Sequence, residues 1–316
     1  MVRTKVMIMK GLFIVNPSSG RQNITTVLEK MIGKLVLNRI STINDVFFTK
    51  GKDDAFYRAK MLQPQEYDFV VAVGGDGTVN EVIGGLIESH SEIPLAIIPA
   101  GTVNDFATYL NLPRGAETFV RMIQDFQTIP VDIGCIGHQY FANVVAGGAF
   151  SDISFRVPKT KKAKLGPLAY YIEGALSLPE LFTTSLHLKI TADDKTFEEN
   201  AILFMISNTK SVGGFKQIAG KAEISDGLFD MIVIRKCELP DLIALSKDIL
   251  LNKHFDSPFL HYFQAHRIEI DAKEKEIPID IDGEPGPGLP LIVENIPQAL
   301  HILVPKKGNA SCADAI

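Results

Sequence analysis

Cysteine is scarce in this sequence, and the three present, Cys135, Cys237 and Cys312, lie far apart. They form no C-x-x-C pair and leave one residue over. That argues against a disulfide framework and a structural zinc site, and it fits a reducing compartment. Long apolar runs are missing too. Arg3 and Lys5 precede only the stretch Val6 to Met9 before Lys10 interrupts, which is too short for the core of a signal peptide. No later run is long enough to span a bilayer, so the expectation is a soluble, cytoplasmic protein. Positive charge is not in excess: 32 Lys and Arg stand against 37 Asp and Glu, a formal net charge of −5. Nucleic acid therefore gains no support as a partner. Two nucleotide-binding signatures are also absent. Without G-x-x-x-x-G-K-[ST] the chain is not a Walker-type binder, and without G-x-G-x-x-G after a strand a dehydrogenase is the weakest reading.

What is present is a chain of 316 residues, 46% hydrophobic and 22% charged, with no low-complexity block. That length suits two domains of ordinary size. Up to about residue 128, short and almost wholly apolar runs alternate with helical patterns. Leu12–Val15, Phe69–Val73 and Leu95–Ile98 read as strands buried on both faces of a parallel sheet, with Val46–Phe48 as another. Val27, Leu28, Met31, Ile32 and Leu35 form a one-sided stripe, and Val79, Val82, Ile83, Leu86 and Ile87 a second. The alternation predicts βαβ units that bind ligands at the carboxyl ends of the strands.

Beyond about residue 130 the period becomes two. Leu186–Ile190 alternates, Ala192–Lys195 reads as a turn, and Ala201–Ile206 returns as a more buried strand. Arg267–Asp271 and Pro278–Asp282 alternate again, and Leu239–Asn252 is helical. The fold class expected is an α/β domain over 1–128, a β-rich, sandwich- or barrel-like domain over 129–305, and a frayed tail over 306–316.

Three loops carry the chemistry of the first domain. Gly74-Gly75-Asp76-Gly77-Thr78-Val79-Asn80-Glu81 follows a buried strand and opens a helix. Its glycines allow close backbone approach, and the helix start offers N–H groups and a positive dipole end to phosphate. Thr78 and Glu81 sit at capping-box spacing, so Glu81 reads either as a cap or as a catalyst. Asp76, a carboxylate inside an anion-binding loop, suggests metal-bridged phosphate. Asn16-Pro17-Ser18-Ser19-Gly20 and Pro99-Ala100-Gly101-Thr102-Val103-Asn104-Asp105 also lie between a strand and a helix. Each alone is a turn plus an N-cap; together they line one edge of the sheet.

The second domain offers carboxylates. Ser225-Asp226-Gly227-Leu228-Phe229-Asp230 reads by itself as an Asp-Gly turn before a strand. Asp280, Asp282 and Glu284 would share one side only if their strand stays regular past Gly283. Carboxylates so close would raise one another's proton affinity, which suits a base. Lys159, Lys161, Lys162 and Lys164 cluster in an otherwise acidic chain, just before the apolar stretch Leu165–Pro179. Each such charge contributes about 1 kcal/mol near anionic lipid, enough together for transient contact with the inner membrane surface.

Taken together, Gly74–Glu81, Asn16–Gly20 and Pro99–Asp105 resemble the diacylglycerol kinase catalytic family, over nearly the whole chain. The resemblance implies a nucleotide-binding α/β domain followed by a β-sandwich domain, with the active site in the cleft between them. It implies ATP contacts from Asn16, Pro17, Ser18, Ser19, Gly20, Thr49, Gly74, Gly75, Asp76, Gly77, Thr78, Val79, Asn80, Thr102 and Asp282. It implies a magnesium site at Glu223, Asp226 and the carbonyl of Leu228, although Gly220 stands where the family commonly has proline. Glu284, in Asp282-Gly283-Glu284, inherits the role of general base, Asp76 joins it in the catalytic set, and Asp132 matches an aspartate that helps organise the metal. The function implied is phosphorylation of diacylglycerol by ATP and Mg2+, with a homodimer common in such enzymes. Another lipid alcohol, such as a sphingoid base or prenol, remains open as acceptor. The rival readings are a kinase of a soluble substrate such as NAD or a sugar phosphate, and a non-catalytic lipid- or nucleotide-binding regulator on the same fold.

Overall fold

The computed structural model describes residues 9–19, 24–101, 103–148, 185–210, 212, 218–274 and 277–306. The chain forms two compact units, Met1–Val131 with Gln298–Ile316, and Asp132–Pro297.

The first unit is built on four parallel strands, β1 (Met9–Val15), β2 (Ser41–Phe48), β3 (Phe69–Gly74) and β4 (Leu95–Pro99), in the order β4-β3-β1-β2. Every residue of β3 is buried, as its unbroken apolar run predicts for a strand covered on both faces. β2 lies at the edge and is largely exposed, which is why only its last few residues looked strand-like in sequence. Helices α1 (Ile24–Leu37), α2 (Asp54–Lys60), α3 (Asp76–Glu88), α4 (Asp105–Tyr109) and α5 (Ala116–Asp125) complete the unit. Leu28, Met31 and Leu35 of α1 and Val79, Val82, Ile83 and Leu86 of α3 are buried, so both apolar stripes face the core. β1 has β2 on one side and β3 on the other, so the chain changes direction across the sheet at the β1/β3 pair. In such sheets the crevice outside the carboxyl ends at this switch point is the place for a ligand.

The first unit also takes back the end of the chain. Ile302, near the end of β15 (Leu291–Leu303), pairs in parallel with Leu95 of β4, and the Val304 amide donates to the Gln127 carbonyl at 2.9 Å. The sequence reading ran the second domain on to residue 305. The structure differs because the last apolar residues find their hydrogen-bond partners on the parallel sheet.

The second unit is antiparallel and sandwich-like. β5 (Thr128–Ile136) enters it and pairs with β6 (Gln139–Phe141). β7 (Val144–Gly148), β8 (Leu186–Ala192), β9 (Lys195–Ser207), β10 (Phe229–Arg235), β11 (Leu260–Ala265), β12 (Arg267–Ala272), β13 (Ile279–Ile281), β14 (Glu284–Pro285) and the first part of β15 follow. The first half of β9 forms the predicted hairpin with β8 and is half exposed. Its second half lies between β7 and β10 and is wholly buried. Alternation splits that second half between two cores. Phe204 and Ile206 join Leu188, Ile190, Phe229 and Ile268 in the sandwich interior, whereas Leu203 and Met205 pack with Leu245 of α6 (Leu239–Leu250) on the other face. Among the described residues no helix is long and apolar enough to cross a membrane.

Candidate functional site

In the first unit the predicted loops converge at the switch point. Register places Val15 beside Val73 and Phe48, and Gly74 beside Pro99, so the turns after all four strands open from one end of the sheet. The Asn16 amide donates to the Val73 carbonyl at 2.9 Å, the Thr49 amide to the Val15 carbonyl at 2.9 Å and the Ala100 amide to the Gly74 carbonyl at 2.8 Å. Asn16 Nδ2 donates to Thr78 Oγ1 at 3.0 Å, fixing the first loop to the start of α3. Pro17 and Ser18 are exposed and Ser19 half-buried beside it, with the Ser18 amide held by Asn16 Oδ1 at 3.0 Å.

Glycine is required here by contact. A Cβ on Gly74 would stand 2.5 Å from Thr78 Cβ, and one on Gly101 would stand 2.5 Å from the Gly75 Cα. The two glycine loops therefore touch backbone to backbone. α3 begins at Asp76 behind an extended Gly75, directly after the carboxyl end of β3, so its first N–H groups and positive dipole end face the crevice. Thr78 and Val79 are buried, whereas Gly77 and Asn80 are partly open to solvent.

Asp76 accepts from the Asn104 amide at 2.9 Å and sits at the positive end of α3, so protein groups compensate part of its charge. One reading of a residue pair changes. Thr78 and Glu81 do not form a capping box, because the N-cap of α3 is Gly75. Glu81 instead accepts from the Asp53 and Ala55 amides, at 3.1 and 3.2 Å, and so caps α2. Burial pushes its carboxyl above the usual range, against the pull of those amides. Asn104, which sequence reasoning did not single out, holds the third loop: its side chain accepts from the Gly101 amide and donates to the Gly101 carbonyl.

In the second unit two acidic elements are each anchored by a carboxylate that accepts from backbone amides, fully buried at Asp132 and half-buried at Asp282. Asp132, fully buried, accepts from the Gly227 amide at 2.6 Å, and its own amide donates to the Ile224 carbonyl at 2.8 Å. Gly227 has φ +77°, which glycine adopts without strain, and its carbonyl accepts from His266 Nδ1 at 2.6 Å. Asp226 and Glu223 are thereby presented at the surface, with Asp226 Oδ1 accepting from the Leu228 amide at 3.0 Å. Among the described residues no three His, Cys, Asp or Glu side chains gather as a metal cluster. The donors at this turn are few, hard and exposed. They suit magnesium, which binds one or two carboxylates and keeps much of its water. Behind the turn, burial and the nearby Asp226 push the Asp230 carboxyl up to about 6, and the Tyr262 hydroxyl donates to it.

The second element is the β13–β14 hairpin. Asp282 (φ +51°) and Gly283 (φ +90°) form its two-residue turn, with Ile281 opposite Glu284 and Asp280 opposite Pro285. Opposed residues share a face and successive residues alternate, so Glu284 lies on the face of Ile281, away from Asp280. The condition for a row of three carboxylates, a strand regular past Gly283, is not met. Asp282 has a different task, accepting from the amides of Ala142, Asn143 and Val144 at 2.8, 3.2 and 2.6 Å. Glu284 is left exposed at the end of the clamped hairpin. Gly20, Thr102, Lys159–Lys164 and Leu165–Pro179 lie outside the described residues.

Comparison with known proteins follows these two halves. The description of the diacylglycerol kinase catalytic domain matches residues 10–136, and that of the YegS C-terminal NAD kinase beta sandwich-like domain matches residues 143–304. The chain is 34% identical over 303 residues to a diacylglycerol kinase of Bacillus subtilis, covering 94% of this chain and 97% of that one. It is also 34% identical over 297 residues to a diacylglycerol kinase of Staphylococcus epidermidis, covering 94% and 92%. Among solved structures it is similar to a diacylglycerol kinase from Bacillus anthracis, with TM-score 0.74, 25% identity, and 94% and 97% of the two chains covered. A yeast NADH kinase shares the fold alone, at TM-score 0.50 and 10% identity, with 98% and 91% covered.

Proposed function

The chain belongs to the diacylglycerol kinase family, whose members are lipid kinases, and we propose that it transfers the γ-phosphoryl group of ATP to the hydroxyl of diacylglycerol, giving phosphatidic acid. The observation that carries this reading is the contact between the Gly75 and Gly101 loops beside the Asn16–Thr78 hydrogen bond, at the amino end of α3. Such a surface offers backbone N–H groups and a helix dipole to a triphosphate, and Gly74, Gly75 and Gly101 let the backbone come close. Asn16–Gly20, Thr49, Gly74–Asn80 and Thr102 hold the nucleotide, and Asp282 serves it through the segment it clamps.

Phosphoryl transfer asks the protein mainly for position and charge compensation. Glu284, exposed on a fixed hairpin, takes the proton of the lipid hydroxyl. The hydroxyl oxygen then forms its bond to the γ-phosphorus as the bond to the bridging oxygen breaks, and ADP leaves with that oxygen. Asp226, Glu223 and the Leu228 carbonyl would hold magnesium, which when bound neutralises charge on the phosphates. Asp132 sets the conformation of that turn through Gly227. The lipid is reached by transient contact with anionic membrane, for which Lys159, Lys161, Lys162 and Lys164 are the candidate cations.

The test is transfer from labelled ATP to a panel of diacylglycerol, a sphingoid base and a prenol in mixed micelles, with NAD beside them. Diacylglycerol is expected to be the best acceptor; labelling of NAD with no labelled lipid overturns the reading. Glu284→Gln is expected to keep ATP affinity while turnover falls by roughly 10²–10⁴-fold, the usual range for loss of a general base. A near-native rate in that variant removes Glu284 from the chemistry.

A further inference from the structure

The Asp132 turn and the Asp282 clamp meet at one side chain that neither the sequence motifs nor the mechanism above uses. Asn208 directly follows β9 and is fully buried. Its Nδ2 donates at once to the Asp132 carbonyl at 2.7 Å and to the Ala142 carbonyl at 3.0 Å. Its own amide donates to the Asn143 carbonyl at 2.9 Å. Asp132 is the residue that grips Gly227 in the Asp226 turn, and Ala142 and Asn143 are two of the three residues whose amides Asp282 clamps. One amide group thus joins the element carrying Asp226 to the element carrying Glu284.

The other end of the same side chain is informative. Asn208 Oδ1 is buried and has no hydrogen-bond partner among the described residues. Burying an acceptor without a donor is unfavourable, and an apolar side chain of similar size would avoid that cost. The contribution of Asn208 therefore lies in its donor end. A neighbouring hydrogen bond, from Thr209 Oγ1 to Asn143 Oδ1, holds the same segment from the other side.

We propose that Asn208 is a positioning residue that sets the magnesium-binding turn and the Glu284 hairpin in one fixed relation for phosphoryl transfer. The proposal deepens the kinase reading and rests on it for its kinetic part. Asn208→Leu keeps much of the volume and removes both donors; Ile190→Val, in the sandwich core, serves as a control of general destabilisation. Hydrogen exchange is followed in the peptides carrying Ala142–Val144 and Gly227–Leu228, and kcat and KM for ATP are measured with diacylglycerol micelles.

In Asn208→Leu both peptides are expected to exchange at least about tenfold faster, while Ile190→Val changes neither selectively. Displacement of catalytic groups by about 1 Å can cost about 10²-fold, so kcat is expected to fall roughly 10–100-fold with KM for ATP within about twofold. Loosening of one peptide alone, an unchanged kcat, or an equal kcat loss in Ile190→Val overturns the proposal. If Asn208→Leu does not fold, Asn208→Ala, which also removes both side-chain donors, is read against the same outcomes. A wild-type protein that phosphorylates no lipid alcohol refutes the kinase reading instead, and the exchange measurements then still decide whether Asn208 couples the two elements.

Discussion

Gly101→Ala tests the glycine-loop contact directly. Gly101 is not in the left-handed region, so alanine is not excluded by backbone conformation; only the space around it is at issue. The added Cβ would stand 2.5 Å from the Gly75 Cα and 2.9 Å from Asn104 Oδ1. Two carbons sit comfortably at about 3.5–4.0 Å, so the loops must separate by roughly 1 Å or more. Neither side yields easily. The Gly75 atom is backbone at the N-cap of α3, and Asn104 is tied to Gly101 by two hydrogen bonds and to Asp76 by a third. Overpacking of this kind costs about 1–3 kcal/mol of stability. A shift of about 1 Å in groups that hold a reacting phosphate can cost about 10² in rate. The assays are thermal unfolding, ATP binding by calorimetry, and labelled-phosphate transfer to diacylglycerol micelles. The expected result is a folded protein with weakened ATP binding and a strongly reduced rate. Native ATP affinity together with native turnover in a folded Gly101→Ala protein refutes the reasoning, because the loop contact would then have no bearing on the nucleotide.

Gly33 supplies the opposite case. It is exposed within α1 and nothing lies within 4 Å of its added Cβ, so Gly33→Ala is expected to stabilise the protein by about 0.5–1 kcal/mol, read from denaturant unfolding, without changing activity. Glu199 tests the electrostatics of the second unit. Arg235 donates to it at 2.8 and 3.0 Å and His261 pairs with it at 2.8 Å, and the arginine is the main cause that holds its carboxyl below the usual range. A depressed carboxyl contributes stability above its unfolded pKa and loses it as pH falls through its folded value. With Arg235 partly exposed and screened, Glu199→Gln is expected to cost about 1 kcal/mol at neutral pH. That difference should shrink as pH is lowered below the ordinary glutamate value of about 4.3. A difference independent of pH assigns the effect to packing.

Much of the first unit was legible because its signals are local. The run Phe69–Val73 and the stripe Val79–Ile87 each report burial on their own, and the glycines between them mark the turn. β2 was only half visible because an edge strand needs little apolar sequence. The role of Glu81 was misread because capping-box spacing is satisfied within α3, while the amides it meets, Asp53 and Ala55, belong to another helix. Whether Asp280, Asp282 and Glu284 share a side was left open by the sequence for a related reason. Period two predicts a shared face only along a continuous strand, and the Asp282–Gly283 turn reverses the chain between them.

Periodicity and glycine spacing, which act over one turn or one strand, were enough for the sequence by itself to mark an α/β unit with glycine-rich turns at its strand ends and a β-rich unit with acidic turns, and the resemblance of the loop motifs pointed to the family to which both belong. Tertiary structure decided what those residues touch. It brought Gly75 against Gly101, turned Asp282 into a clamp on Ala142–Val144, returned the end of β15 to the first sheet, and placed Asn208 between two carbonyls. The physical reason is that hydrogen bonds and van der Waals contacts are satisfied by proximity in space, and chain separations such as the 138 positions from Asp282 to Val144 leave no trace in local pattern.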